Sequence, residues 1–238
     1  MDAAKQDPPA QSRRERLRAE TSAEIKAIAL RLMAEGGPSA ISLRAIAREM
    51  GMTAGAIYGY YPTRDDLVTT LITDVYTSLV DAVEAARDTR SDPGGRIIAW
   101  GRALRTWALA NPEGFRLIYG DPVPGYIAPE GGRAPEAEHR ACAGLTGLVA
   151  DAWPTAAAGQ THSDADWADF TPSLAADART EFPDLPPAAV ALALRLWGRM
   201  HGLVSLEVYG HLRTQSHDPA KLYEAELRDL VASYGLTG

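Results

Sequence analysis

The sequence predicts an all-α protein of about nine to ten helices, with a small three-helix head followed by a larger helical body. Apolar residues recur at helical spacing along most of the chain, and no stretch shows the alternation typical of a half-buried strand. Several prolines directly follow residues that cap helix N-termini, where a helix tolerates proline. These are Pro93, Pro112, Pro172 and Pro219.

Bulk composition excludes several classes of protein. At 238 residues and 46% hydrophobic content, the chain can bury a sizeable core. Its single cysteine, Cys142, rules out an internal disulfide framework and favours a reducing compartment, so we expect a cytoplasmic protein. No uncharged apolar run approaches the roughly 20 residues that span a bilayer, and the polar N-terminus lacks the apolar segment of a secretory signal. We therefore expect no membrane partner.

Charge is distributed unevenly along the chain. The formal net charge is −7, yet the first 70 residues hold ten Lys or Arg against nine Asp or Glu. The remaining residues hold 14 basic and 22 acidic side chains. Phosphates would repel this acidic body but not the near-neutral head, which biases how the molecule approaches a duplex.

The first helix has two candidate start points. We expect a disordered tail over residues 1–12, and the pairs Ser12 with Glu15 and Thr21 with Glu24 both have the spacing of a capping box. An apolar stripe around Ile25 to Met33 ends at Gly36-Gly37-Pro38. Four arginines near the start form either a solvated face or an arm lying against DNA phosphates. They are Arg13, Arg14, Arg16 and Arg18.

Two short helices joined by a tight turn follow. Ser42 caps the first, Gly51-Met52-Thr53 forms the turn, and the second runs from Ala54 to about Tyr60. Such a turn makes the helices cross steeply, as a helix-turn-helix requires. Thr63 and Asp66 then cap a long helix. We predict a DNA-binding domain over 13–67 and a ligand-binding and dimerisation domain over 68–238.

Two Pro- and Gly-rich stretches in the body predict loops. They are Asp121 to Pro135 and Pro154 to Asp164. Long helices are predicted near Pro187 to Arg213 and Pro219 to Tyr234.

The head closely resembles the TetR-type family of bacterial repressors. The matching residues are Ile25 to Leu32 with Gly36, Ser42 through Ile46-Ala47 to Gly51, Ala56-Ile57-Tyr58, Tyr60 to Arg64, and Leu67. A weaker resemblance to a regulatory C-terminal domain of some members rests on Trp107-Ala108, Asn111-Pro112 to Tyr119, Pro122 to Tyr126, and Trp197 with His201-Gly202. The resemblance implies a ligand-responsive repressor that binds double-stranded DNA.

Base edges in a major groove are read from the N-terminal end of a recognition helix, which here is short of long polar side chains. We therefore assign most of the direct reading of bases to Arg44. The alternative is that Arg44 is only a solvated surface arginine. The resemblance places Tyr58, Tyr60, Thr63 and Arg64 on phosphates, and Tyr61 in the core. The predicted DNA-contact set is Ser42, Arg44, Thr53, Ala54, Gly55, Ala56, Tyr58, Tyr60, Thr63 and Arg64.

One head makes too few contacts for strong specificity, so we expect a homodimer on a pseudo-palindrome with half-sites ~34 Å or a multiple apart. The last two long helices, about 187–213 and 219–234, are the expected interface. Gly198 and Gly202 would let a partner helix come close; the alternative is a close helix contact within the chain.

All five tryptophans lie in the body, where aromatic residues at helical spacing are usually core. The family nevertheless places some of these helices around an effector cavity. The predicted ligand-binding set is Trp107, Tyr119, Cys142, Trp197 and His201. A mostly apolar pocket would suit a small apolar or aromatic effector.

An enzymatic function is not expected. His139 and Cys142 lie one helical turn apart, but no histidine or cysteine grouping has compact metal-ligand spacing. The nucleophile elbow, P-loop and dinucleotide fingerprint are absent, so we predict no cofactor. The alternative function is an architectural or protein-partnered helix-turn-helix factor without a small-molecule switch; a fully packed body would favour it, and an interior cavity would favour the sensor.

Overall fold

A computed structural model describes residues 12–160 and 164–237. Over those residues the chain forms ten α-helices and no strand, which confirms the all-α prediction. Apart from Ser12, the predicted disordered tail lies outside the described residues. The helices are α1 Arg13–Gly36, α2 Leu43–Glu49, α3 Ala54–Tyr58, α4 Arg64–Arg87, α5 Pro93–Ala110, α6 Pro112–Tyr119, α7 Pro135–Ala156, α8 Pro172–Glu181, α9 Pro187–Val208 and α10 Pro219–Ser233.

Helix α1 begins at the earlier of its two candidate start points. The Ser12 hydroxyl accepts a hydrogen bond from the Glu15 backbone N–H at 3.2 Å, and the Glu15 carboxylate accepts one from the Ser12 N–H at 2.8 Å. The four arginines after Ser12 therefore lie on this helix, and all four are exposed. Gly37, with φ 75°, ends the helix in a backbone conformation that favours glycine.

The chain divides into two compact units. One consists of the residues up to Leu71 together with Asp121–Ala128, and the other of Ile72–Gly120 with the residues from Pro129 onwards. We call them the head and the body. The division falls inside α4, and the sequence did not predict that Asp121–Ala128 would join the head.

The core of the head is built where α1, α2, α3 and the start of α4 present their apolar faces to one another. Ile25, Ile46, Ile57 and Leu67 are completely buried there. Gly51, with φ 64°, turns the chain between α2 and α3, and the Met52 N–H donates to the Ala47 carbonyl at 2.8 Å. This turn fixes α3 on the head with its buried side held by Ile57.

The segment Asp121–Ala128, which we call the clasp segment, packs on the head. Val123 is buried, the Tyr126 hydroxyl is hydrogen-bonded to the Thr69 hydroxyl at 2.9 Å, and the Ile127 N–H donates to the Asp65 carboxylate at 3.2 Å. An apolar contact and specific polar contacts therefore hold the predicted loop on the head.

Helix α5 lies at the centre of the body, where it packs against α7, α9 and α10. Two glycines allow close approach: a Cβ on Gly101 would lie 2.5 Å from Leu227, and one on Gly144 would lie 2.5 Å from Trp100. The Tyr223 hydroxyl also donates to the Gly101 carbonyl at 3.1 Å. These contacts bring α7 and α10 close to α5.

The prediction of a loop from Pro154 to Asp164 was wrong at its start. Helix α7 continues through Pro154 to Ala156, and a 3₁₀ turn follows at Ala157–Gly159. Proline is tolerated there because only the final turn of the helix loses a backbone N–H. Residues 161–163 of the predicted loop lie outside the described residues. Within the described chain, every helix is too short or too polar to cross a bilayer.

Candidate DNA-binding surface and body cavity

The first turn of α3 presents only small residues to solvent. The Thr53 hydroxyl caps the helix by accepting a hydrogen bond from the Ala56 N–H at 3.2 Å. Thr53, Ala54, Gly55 and Ala56 are all exposed, and a Cβ added to Gly55 would meet no atom within 4 Å among the described residues. An approaching surface could therefore come close to the backbone of α3.

Longer side chains flank this small surface. Arg44 on α2 and Tyr58 at the end of α3 are exposed. Ser42 is half-buried, and its hydroxyl accepts from the Ala45 N–H at 3.4 Å as the cap of α2. Arg44 and Tyr58 can thus reach a ligand directly, whereas Ser42 already serves a structural role.

The two tyrosines after α3 have different environments. The guanidinium of Arg18 lies 4.9 Å from the ring centroid of Tyr60 and donates to the Gly59 carbonyl at 2.9 Å. Tyr61 is buried, and its hydroxyl is hydrogen-bonded to the Ser22 hydroxyl at 2.8 Å, which confirms that it packs in the core. Arg18 and Tyr60 together place positive charge beside the end of α3.

Thr63 and Arg64 use their polar groups within the head. The Thr63 hydroxyl donates to the Asp66 carboxylate at 2.8 Å. Arg64 donates from Nε to the Ile41 carbonyl at 2.9 Å, from Nη1 to Pro124 at 2.9 Å and from Nη2 to Pro38 at 3.3 Å. Of the ten predicted DNA-contact residues, these two, Ser42 and Thr53 therefore have side chains already hydrogen-bonded within the head.

The body contains a largely apolar cavity of about 100 Å³. Four aromatic residues lie in its wall: Tyr76, Trp100, Tyr119 and Trp197. Most of the remaining wall is aliphatic, and Cys142 and Thr146 add a thiol and a hydroxyl. Burial raises the pKa of Tyr76 and of Tyr119, so both phenols stay neutral around pH 7.

His201 lies behind this wall rather than in it. Its ring centroid is 4.4 Å from that of Tyr119 and 5.6 Å from that of Trp197. Nδ1 is hydrogen-bonded to the Ser205 hydroxyl at 3.0 Å, whereas the buried Nε2 has no hydrogen-bond partner within the described part of the chain. Burial lowers the pKa of His201, which favours the neutral imidazole.

The cavity brings together three residues of the predicted ligand set: Tyr119, Cys142 and Trp197. Trp107 lies apart from it, buried in the core, where its indole N–H donates to the Ser78 hydroxyl at 3.0 Å. Sequence reasoning did not select Tyr76 or Trp100 for this site. Their helical periodicity shows that they face inwards but not which helices meet there.

Comparison with known proteins identifies the family. The sequence model for "Bacterial regulatory proteins, tetR family" matches residues 25–71, and the one for "Tetracyclin repressor-like, C-terminal domain" matches residues 97–230. HTH-type transcriptional regulator Rv1816 of Mycobacterium tuberculosis (strain ATCC 25618 / H37Rv) is 35% identical over 225 residues, which cover 90% of this chain and 92% of that protein. The chain belongs to the TetR family.

Solved structures agree with this assignment. The crystal structure of regulatory protein SCO4313 is 36% identical, covers 93% of this chain and 100% of that one, and has a TM-score of 0.70. A regulatory protein in the tetR family from Rhodococcus RHA1 shares the fold, with a TM-score of 0.59, 20% identity, and coverage of 92% of this chain and 97% of that one.

This TetR-family chain is accordingly a DNA-binding transcriptional regulator with a helix-turn-helix, and not an enzyme. In the described ranges, 12–160 and 164–237, no three His, Cys, Asp or Glu side chains are grouped so as to hold a metal ion.

Proposed function

We propose that this regulator is a ligand-responsive repressor that binds a palindromic operator as a homodimer and is released by a small, largely apolar or aromatic ligand. The observation that carries the proposal is the aromatic-lined, largely apolar cavity in the body. A mostly apolar and aromatic lining with a few polar groups is typical of small-molecule sites. A DNA-binding protein of this kind would act in the cytoplasm.

The exposed turn of α3 supports the DNA-binding part of the proposal. A helix in the major groove reads bases from its N-terminal end, and here that end is bare enough for close backbone approach. Arg44, on the preceding helix, is the side chain best suited to bind a guanine edge through two hydrogen bonds. Tyr58 and the Arg18–Tyr60 pair would contact phosphates and fix the register.

The exposed face of α9 supports the homodimer. Leu194, Leu206 and Tyr209 are exposed there, alongside Gly198 and Gly202. Around both glycines, no atom of the described chain lies within 4 Å of an added Cβ, so neither serves a close contact inside the protomer. A bare helix face with large apolar neighbours is suited to a partner helix, and Leu222 on α10 continues it.

A ligand can release DNA only if it binds the DNA-free arrangement more tightly than the DNA-bound one. Because the cavity takes its wall from six helices, α4 to α9, a ligand that fills it would favour one packing of these helices over another. We propose that the two packings differ in the spacing of the two heads, so that only one matches both half-sites.

The alternative, an architectural factor without a ligand switch, predicts a body with a filled interior. The cavity supports the sensor instead.

Selection of bound sequences from random duplex DNA, using the full-length protein at a stated salt concentration, tests the proposal. We expect enrichment of two equal inverted half-sites, and loss of binding when fractions of a metabolite pool are added. Enrichment of a single half-site would contradict the dimer. Operator affinity that no fraction changes would contradict the switch.

A further inference from the structure

The cavity adjoins a second groove, and we call the junction between them the mouth. The groove between α7 and α8 shares Cys142, Thr146 and Leu174 with the cavity wall. Cys142 is exposed at this junction. A ligand could therefore extend from the cavity into the groove at the position of Cys142.

The cavity wall itself carries no charged side chain, but the groove is acidic. His139 contacts two of the acidic side chains in the groove. Its Nε2 lies 2.7 Å from the Glu181 carboxylate, and its Nδ1 lies 3.5 Å from the Asp177 carboxylate. Glu138 differs, because its carboxylate has no hydrogen bond or ion pair to any residue in the described ranges. It lies one helical turn before Cys142, and so near the mouth.

The field of Glu138 reaches the cavity. Burial is the main reason that the pKa values of Tyr76 and Tyr119 are raised, and the negative charge of Glu138 raises both further. The positive charge of Arg133 lowers the pKa of Tyr76, but by less than the charge of Glu138 raises it. The mouth is thus a place of negative potential beside an apolar interior.

These features favour a positive charge on the ligand. Aromatic faces attract cations, and the cavity has four aromatic residues. An ammonium group buried in the apolar interior without a partner would carry a large desolvation cost, so it must remain near a carboxylate. An anion would meet the repulsion of Glu138 and find no basic side chain in the wall.

We propose that the effector is a cationic amphiphile, whose apolar or aromatic portion lies between the four aromatic residues and whose ammonium group pairs with Glu138 at the mouth between α7 and α8. This inference rests on the proposed function, because it assigns a ligand class to the same cavity.

Three probes with one skeleton test it: 4-phenylbutylamine, 4-phenylbutanol and 4-phenylbutyrate, which at pH 7.5 are a cation, a neutral molecule and an anion. Calorimetric titration of the full-length protein should give the order amine, alcohol, carboxylate. Glu138→Gln should weaken the amine about five- to tenfold and leave the alcohol unchanged. Glu136→Gln, on the same helix and exposed, is the matched control and should change neither.

Equal or tighter binding of the carboxylate, or an amine affinity that Glu138→Gln leaves unchanged, would overturn the cationic class while leaving a ligand-filled cavity. Failure of all three probes to bind would also overturn it. Release of operator DNA by metabolite fractions, measured separately, decides whether the switch itself survives either result.

Discussion

Arg64 is bound by the protein itself, although the family resemblance places it on a phosphate. All three guanidinium nitrogens donate to backbone carbonyls, of Pro38, Ile41 and Pro124. The planar fork of arginine is needed for this arrangement, because one ammonium group cannot reach three separated acceptors. Its side chain therefore ties the turn before α2 and the clasp segment to the start of α4.

We expect Arg64→Lys to destabilise the head by roughly 1–3 kcal/mol, because charge is kept while most of the carbonyl contacts are lost. Denaturant unfolding measures this, and Arg48→Lys on the exposed side of α2 is the control. Stability equal to that of the wild type, with weakened DNA binding, would instead assign Arg64 to phosphate.

Arg44 and Arg14 should behave differently in DNA binding. Arg44→Ala should cost about 1–3 kcal/mol on the preferred sequence and relax the preference at one position in each half-site. Arg14→Ala, in the exposed first turns of α1, should weaken binding to all sequences to a similar small extent, because a phosphate contact reads no base. Selection with each variant distinguishes these outcomes. An unchanged preference for Arg44→Ala would remove it from direct reading.

His201 should make stability depend on pH. Because burial disfavours the imidazolium, the unfolded chain binds this proton at higher pH than the folded chain does. The contribution is fully present above pH about 6.5 and is lost as the pH falls below that value. His201→Asn should flatten this part of the stability profile, whereas replacing the exposed His217 by Asn should not. Parallel profiles for all three proteins would contradict the assignment.

Helix α3 and the turn before it contain two glycines, Gly51 and Gly55, which differ in whether folding requires them. Gly51, just before it, has φ 64° and needs glycine for the turn. Gly55, inside it, faces open space among the described residues, so folding does not require glycine there. We therefore propose that the bare residue at position 55 serves close approach to DNA rather than packing.

Gly55→Leu should preserve or slightly raise thermal stability, because leucine favours a helix more than glycine does. It should weaken operator binding about tenfold or more, because the added side chain keeps the backbone away from the groove. Gly51→Ala is the contrasting variant, with a loss of stability of about 1 kcal/mol. Undiminished operator affinity for Gly55→Leu would show that close backbone approach is not needed.

At the scale of the whole molecule, the proposed homodimer must place two heads on one operator. The bare face of α9 with its two glycines is the surface proposed for their contact. Trp197 lines the cavity and is also 39% exposed on α9. Occupancy of the cavity and contact between protomers would thus involve one side chain in common.

Gly202→Glu should convert the dimer to a monomer, because it places a charge in the centre of the proposed contact. The monomer should fold normally, since the position is open. Ala85→Glu adds the same group at an exposed position of α4 and should leave the dimer intact. Sedimentation velocity measures both, and a dimeric Gly202→Glu protein would move the interface elsewhere.

The parts of this structure that could be predicted from the sequence are those that depend on residues close together in the chain. Capping by Ser12, Thr53, Asp92 and Thr171 predicted where four of the helices begin, because capping depends on residues close in sequence. The small residues in the first turn of α3 could also be identified from the sequence, because they are consecutive.

The partners of Arg64 and Glu138 depend instead on which distant segments meet. Arg64 reaches Pro124, 60 positions away, from a loop that has no periodicity to analyse. The unpaired state of Glu138 is evident only once His139 is seen to engage the neighbouring acids. Helical periodicity gives the inward face of α4 and α5 but not the cavity that Tyr76 and Trp100 line.

The clasp segment determines how this regulator can be re-engineered. Because the head includes residues 121–128, the polypeptide passes between head and body at three points: after Leu71, after Gly120 and after Ala128. A chimera that exchanges only the first 71 residues would bring a foreign α4 surface against the original Val123 and Tyr126, which pack on this head's own residues. Transplanting the DNA specificity of this protein therefore requires two separate stretches of sequence to move together.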